Sequence, residues 1–171
     1  MATTEFSPIT DEHSLYILMS SDETPGASEL AEFIDEGAHF DEVTIALPSG
    51  DVGEPYVAQV LYDGDRPPIR IEMCSAPQRL ALVREVSELL DRVPEDAEVN
   101  AESVDHARGT LPSMRQILRL VVDRETLTEE AWEMLDCLEA YLASKYSGLV
   151  YAPGDGLFDA KLQPIVRRLI R

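Results

Sequence analysis

Residues 13–20 (HSLYILMS) carry apolar side chains on both faces, Leu15, Ile17 and Met19 on one and Tyr16 and Leu18 on the other. Such a run predicts a central strand covered on both sides. The period then changes. Thr24 suits a helix N-cap and Pro25 a first turn, Leu30, Phe33 and Ile34 form one stripe, and Gly37 follows as a stop. Residues 41–48 (DEVTIALP) close a strand–helix–strand unit. A meander comes next, with residues 55–62 (PYVAQVLY) and 69–74 (IRIEMC) flanking DGDRPP, a turn by composition. Pro67 and Pro68 cannot donate to a ladder, so the second arm is expected to start after them and to lie near a sheet edge. Within it Ile69, Ile71 and Met73 point inward and Arg70 and Glu72 outward.

From residue 75 the spacing becomes helical. Ser75 with Gln78, Ser113 with Gln116 and Thr126 with Glu129 each match the capping box, Ser or Thr followed three residues later by Gln or Glu. The first opens a helix with Leu80, Val83, Val86 and Leu90 on one side. The second predicts a helix burying Met114, Ile117, Leu118 and Val121. The third opens a helix striped by Ala131, Leu135, Leu138 and Leu142 and ended by Gly148. The polar segment 94–110 between the first two is a loop or a short helix. Residues 148–153 (GLVYAP) predict a last strand, and 164–171 (PIVRRLIR) a terminal helix with Pro164 in its first turn. No internal sequence repeat or low-complexity linker is visible. The expected fold is α+β: a single domain over residues 1–171, with a mixed sheet of about five strands packed by about three to five helices.

Charge changes the picture. The chain has 171 residues and a formal net charge of −19. Arg66 is its first cation. Residues 1–65 hold fifteen Asp and Glu with no Lys or Arg, and residues 66–171 hold the other eighteen acids and all fourteen bases. The acids of the first half must therefore face solvent, a partner, or cations brought by the fold from the second half. The local excess of Lys161, Arg167, Arg168 and Arg171 over Asp159 is one such source, although those cations also suit the C-terminal end of their own predicted helix. An acidic field of this size repels phosphate and anionic lipid, so neither nucleic acid nor membrane is expected as a partner, and a basic protein is. Twelve Arg against two Lys equally suits a salt-adapted or high-GC bacterial host, in which acidity is a solvation device. No apolar run approaches the roughly 20 residues a membrane span needs. The start, MATTEFSPITDEHS, lacks the basic and apolar regions of a signal peptide, which makes the cytoplasm the expected compartment.

Motifs for chemistry are sparse. Cys74 and Cys137 have no Cys or His at ligand spacing and read as small buried or half-buried thiols, Cys137 beside the apolar stripe of its helix. His13, His39 and His106 are isolated, and neither HxxxH nor HExxH occurs. Residues 49–55 (SGDVGEP) hold two glycines but no Lys and no strand–loop–helix setting for a phosphate. Asp63 and Asp65 suit a turn. The best loop candidate is SGLVYAPGDGLFD, in which Asp155 and Asp159 flank a glycine turn and would hold a ligand, with too few oxygens in series for calcium. No metal or cofactor is expected.

The leading expectation is a non-catalytic acidic protein-binding module, an inhibitor, immunity protein or secretion chaperone for a basic partner. It would use exposed acids of the first half: Glu29, Glu32, Asp35, Glu36, Asp41 and Glu42. The helix–meander–helix order of residues 26–92 is similar, in element order alone, to type III secretion chaperones, and no residue role is carried over from them. A second expectation is a ligand-binding or enzymatic domain with a pocket around Ser20, Ser21 and the Asp155 loop, which a deep pocket holding a carboxylate of raised pKa would favour. A third is self-association as a homodimer through the apolar content of the long helix near Trp132 and Tyr141.

Overall fold

A computed structural model describes residues 9–46 and 56–168. In chain order the elements are β1 (Glu12–Met19), α1 (Ala27–Glu36), β2 (Thr44–Ala46), β3 (Tyr56–Leu61), β4 (Ile69–Met73), α2 (Ala76–Asp91), β5 (Glu98–Val99) and α3 (Ala101–Thr110). A 3₁₀ turn (Leu111–Ser113) leads into β6 (Gln116–Asp123), α4 (Glu129–Lys145), β7 (Gly148–Ala152), β8 (Gly156–Phe158) and β9 (Pro164–Arg167). The class is α+β. Among the described residues the sheet has nine strands, in the order β2-β3-β4-β6-β1-β7-β8-β9-β5, rather than about five. Its pairings are antiparallel throughout rather than mixed, because the strand–helix–strand unit does not return β2 beside β1 as a parallel neighbour. The order strand–helix–three strands occurs twice, from β1 and again from β6, without a sequence repeat. The two differ in their return: β4, the last strand of the first unit, lies on β6, whereas β7, the first of the second meander, lies on β1.

Alternation along the central strands divides the core in two. Leu15, Ile17 and Met19 of β1 and Leu118, Leu120 and Val122 of β6 face α1 and α4, against Leu30, Ile34, Leu135, Leu138 and Leu142. Leu18, Ile117, Leu149 and Tyr151 face the other way, against Leu82, Val86, Leu89 and Leu90 of α2 and Val104 and Ala107 of α3. Helices thus cover both sheet faces. Phe33 of α1 stacks on Tyr141 of α4, with ring centroids 4.5 Å apart, and Trp132 and Tyr141 are both half-buried against the first core. The chain itself thus covers part of the apolar surface expected of α4, and Trp132 keeps a side open to the cleft beside β7.

Several elements depart from the sequence reading. Residues 113–124 form no helix; they hold β6, between β4 and β1 at the heart of the sheet. The apolar run Ile117–Val122, broken only by Arg119, fits helical spacing because it fits any spacing, and three β-branched residues decide for the strand. Pro112 lies within the preceding turn, and Ser113 donates its hydroxyl to Thr110 O instead of capping a helix. Residues 164–167 are likewise a strand, with Ile165 and Val166 buried and Pro164 at its first position; residues 169–171 lie outside the described residues. β4 is interior rather than near an edge, flanked by β3 and β6, and Pro67 and Pro68 stand just ahead of the ladder. On α2 the box from Ser75 to Gln78 forms as expected, but Leu80 is 65% exposed because the buried stripe runs through Leu82, Val86, Leu89 and Leu90. The cap of α4 is Thr128, not Thr126, and its side chain accepts from Ala131 N–H. Thr24 does not cap α1, whose N-cap is Gly26.

The fold also brings cations to the acids of the first half. Arg70 and Arg119 alternate with Glu12 and Glu72 in a closed square of ion pairs across β4, β6 and β1, at 3.2–3.5 Å. Arg115 pairs with Asp22 and Lys145 with Glu29. The described part of the tail forms no helix: Arg167 lies on the strand β9, and Arg168 follows it and donates its N–H to Asp155 O at 2.8 Å.

Candidate functional site

α4 packs on the sheet over β1 and β7, and between it and the β7–β8–β9 meander lies a cleft of about 740 Å³. Leu15, Trp132, Val150, Ala152, Phe158, Leu162 and Pro164 make its apolar lining, and Asp136, Glu139, Asp155, Gln163, Arg167 and Arg168 its polar groups. Volume and mixture are those of a small-molecule site.

Glu139 is the unusual group. Trp132, Asp136 and Glu139 follow one another at helical spacing of four and three residues, so they share the side of α4 that meets the cleft. Glu139 is only 5% exposed. Among the described residues nothing hydrogen-bonds or ion-pairs with its carboxyl. Burial, reinforced by the neighbouring Asp136 carboxylate, pushes that carboxyl up from 4.5 to about 8. Asp136 is itself raised by burial. Among the described residues Arg70 Nε is the one buried side-chain polar atom without a hydrogen bond, so the Glu139 carboxyl oxygens, on a side chain otherwise set in an apolar arc, still reach the cavity.

Asp155 stands at the rim of this cleft. Its carboxylate lies 4.0 Å from Arg124, and its backbone N–H donates to Ala152 O, closing the turn between β7 and β8. His13 is close by, its pKa lowered by burial and by Arg124 against the opposing pull of Asp155 and Asp11.

Asp159 is not part of the site. It stands at the far end of β8, where its Oδ1 accepts from Lys161 N–H and Gln163 N–H, both at 2.9 Å, and it borders a different cavity of about 840 Å³. Ser20 and His106 line that second cavity. The pocket expected around Ser20, Ser21 and Asp155 is thus divided, with Ser20 donating to Ser147 O and Ser21 accepting from Glu23 N–H. His39 is half-buried, apart from both cavities. Cys137, expected in the core, is exposed, and Cys74 is half-buried with its thiol pushed up by burial. Residues 49–55 lie outside the described residues. Among the described residues no three or more His, Cys, Asp and Glu gather as metal ligands would.

The six acids proposed for partner binding separate into two kinds. Glu29 is engaged internally: Tyr141, Tyr146 and Lys145 all donate to it, tying α1 to the end of α4. Burial would raise its carboxyl, but those donors hold it down at about 2. Glu32, Asp35, Glu36, Asp41 and Glu42 are exposed, and among the described residues no cation lies within ion-pair distance of them.

Glu139, Arg167 of β9, Arg168 after it and Trp132 were not singled out as site residues from the sequence. Glu139 did carry a signal, because it sits four residues after Leu135 and three before Leu142, inside the apolar arc of its helix. No protein-family model, no curated protein and no solved structure matches this chain.

Proposed function

We propose that this chain is a binding domain for a small ligand held in the cleft between α4 and the β7–β8–β9 meander. The carrying observation is Glu139, nearly fully buried, without a partner and bordering the cleft. A polar group in that state is what a specific ligand would satisfy. Trp132 and Phe158 offer apolar contact area, and Arg167, Arg168 and Asp155 offer charged groups around it. Among the described residues the lining holds no Ser, Thr, Cys, Lys or His, so a covalent nucleophile there would have to be a carboxylate.

Trp132 is the single tryptophan of the chain, so its fluorescence reports the cleft without labelling. A screen of small charged and neutral compounds should give hits that shift this emission. Filling the cleft with Ala152→Phe should abolish them. Hits that bind the filled variant equally well would move the site elsewhere.

A second reading, an acidic face for a basic protein partner, is favoured by the five exposed acids of α1 and the loop after it, none with a cation in reach among the described residues. It predicts capture of a basic protein from the host lysate, in stoichiometric amount and released by rising salt.

A further inference from the structure

We infer that the occupant of the cleft is an organic ammonium with an apolar body, whose cationic nitrogen sits against Glu139 while the body lies along Trp132 and Phe158. This rests on reading the cleft as a ligand site and adds the chemical class of the ligand.

The argument is one of depth. Two arginines and three acids border the same cleft, and they are not equivalent. Arg167 and Arg168 are exposed and keep most of their hydration, whereas Glu139 is 5% exposed. Coulomb attraction is several-fold stronger for a buried group than for one in water, so a carboxylate formed at Glu139 as a cation enters outweighs the hydrated arginines. Of the ionisable groups that border the cleft, Asp136 on the same helix acts on Glu139 directly, while Asp155 on the turn after β7, Arg167 on β9 and Arg168 after it stand elsewhere on the lining. β1 contributes Leu15 to the lining and β7 contributes Val150 and Ala152, none of them ionisable. Arg124 partly neutralises Asp155 from outside, and His13 lies near that pair. The inner end is therefore acidic. Trp132 is the aromatic face best suited to a cation. The field of a chain with net charge −19 also concentrates cations at its surface.

The chemistry of binding follows. In the empty cleft at neutral pH the Glu139 carboxyl is largely protonated. An incoming ammonium favours the carboxylate, so the acid proton leaves to solvent while the ammonium keeps its own charge. Binding below about pH 8 should release close to one proton for each ligand bound, and affinity should fall about tenfold for each pH unit below that point.

The test uses the whole chain and three probes of one shape: cyclohexylmethylamine, cyclohexanecarboxylate and cyclohexylmethanol. Trp132 emission gives affinity between pH 5.5 and 9, and calorimetry in buffers of different ionisation enthalpy counts protons. The expected result is that the amine binds best, with the stated pH slope and proton release. In Glu139→Gln the amine should lose about tenfold or more and its pH slope, while the alcohol changes less than about twofold. Binding by the carboxylate or alcohol but not the amine would overturn the ligand class and leave the cleft as a ligand site. Amine binding with neither pH slope nor proton release would remove Glu139 from the contact. If no probe moves Trp132, in agreement with a silent screen, the cleft reading itself falls.

Discussion

Lys145, at the end of α4, donates to the carboxylate of Glu29 in the first turn of α1, across 116 residues of chain. Tyr141 and Tyr146 donate to the same carboxylate, so one acid fastens one helix to the other. Glu29 thereby answers part of the question posed by a first half without cations, since its partner is folded in from the second. The Glu29 carboxyl lies below its ordinary 4.5, at about 2. A depressed acid stabilises the fold above its unfolded value and loses that contribution as pH falls through its folded value. The expected outcome is loss of stability between about pH 4.5 and 2, and Glu29→Gln should remove that part of the acid transition. At pH 7 the same variant should lose about 1–3 kcal/mol, from weaker hydrogen bonds to a neutral group. Urea titrations of both proteins from pH 2 to 7 measure it; equal pH profiles would mean that the contact contributes nothing.

Glu139 should behave in the opposite sense. Its folded value, about 8, lies above the ordinary 4.5. A raised acid carries no penalty below its unfolded value, and the fold loses stability as pH rises from there to the folded value. Glu139→Gln should therefore be close to wild type at pH 4.5 and more stable by a few kcal/mol, in order of magnitude, at pH 8 and above. Thermal melts across this range decide the point. A variant less stable than wild type at pH 8 would mean that Glu139 has found a partner in solution. A saturating amine should narrow the gap from the other side by stabilising only the wild type.

Asp123 sets the ends of the two central strands. It is 3% exposed and accepts from Asp11 N–H at 3.0 Å, from Thr126 Oγ1 at 3.0 Å, and from the Thr10 backbone at 3.4 Å. Removing it leaves several donors at the β1–β6 junction without an acceptor. Asp123→Ala should cost about 2–4 kcal/mol, and Asp123→Asn less, because the amide oxygen still accepts. Chemical denaturation orders the three proteins; equal losses for Ala and Asn would point to charge rather than hydrogen bonding.

How far the fold was legible depended on whether a segment's pattern admits one period or several. The capping box at Ser75 and the α4 stripe of Ala131, Leu135, Leu138 and Leu142 each fit one template and were read correctly, and β1, apolar on both faces, was read correctly as a strand. The run through β6 fits both templates, since a strand buried on both faces has no polar alternation left to show. Its identity comes from β1 and β4 pairing on either side of it. The site failed for a different reason. Asp155 and Asp159 are neighbours in sequence, but the three-residue strand β8 lies between them and sets them at two different cavities. Conversely, Glu139 and Asp155 border one cleft because β7 folds back along α4, a relation no local pattern carries.

Gly156 governs the wall opposite α4. Its φ is 147°, and a Cβ there would stand 2.0 Å from Val166 O on β9, the strand that presents Arg167 to the cleft. Because the obstacle is backbone, the strand itself has to move. Gly156→Ala should cost about 1–3 kcal/mol in stability from backbone strain alone. It should also weaken whatever binds in the cleft, by displacing Arg167 and Phe158. Gly154 is the control: its φ of 89° strains a side chain, but nothing lies within 4 Å of an added Cβ. Gly154→Ala should thus destabilise the turn while leaving the wall in place. Parallel measurements of melting temperature and of amine affinity by Trp132 emission separate the two effects. Equal affinity losses in both variants would show that the β7–β8 turn, rather than the contact between Gly156 and β9, holds the cleft open.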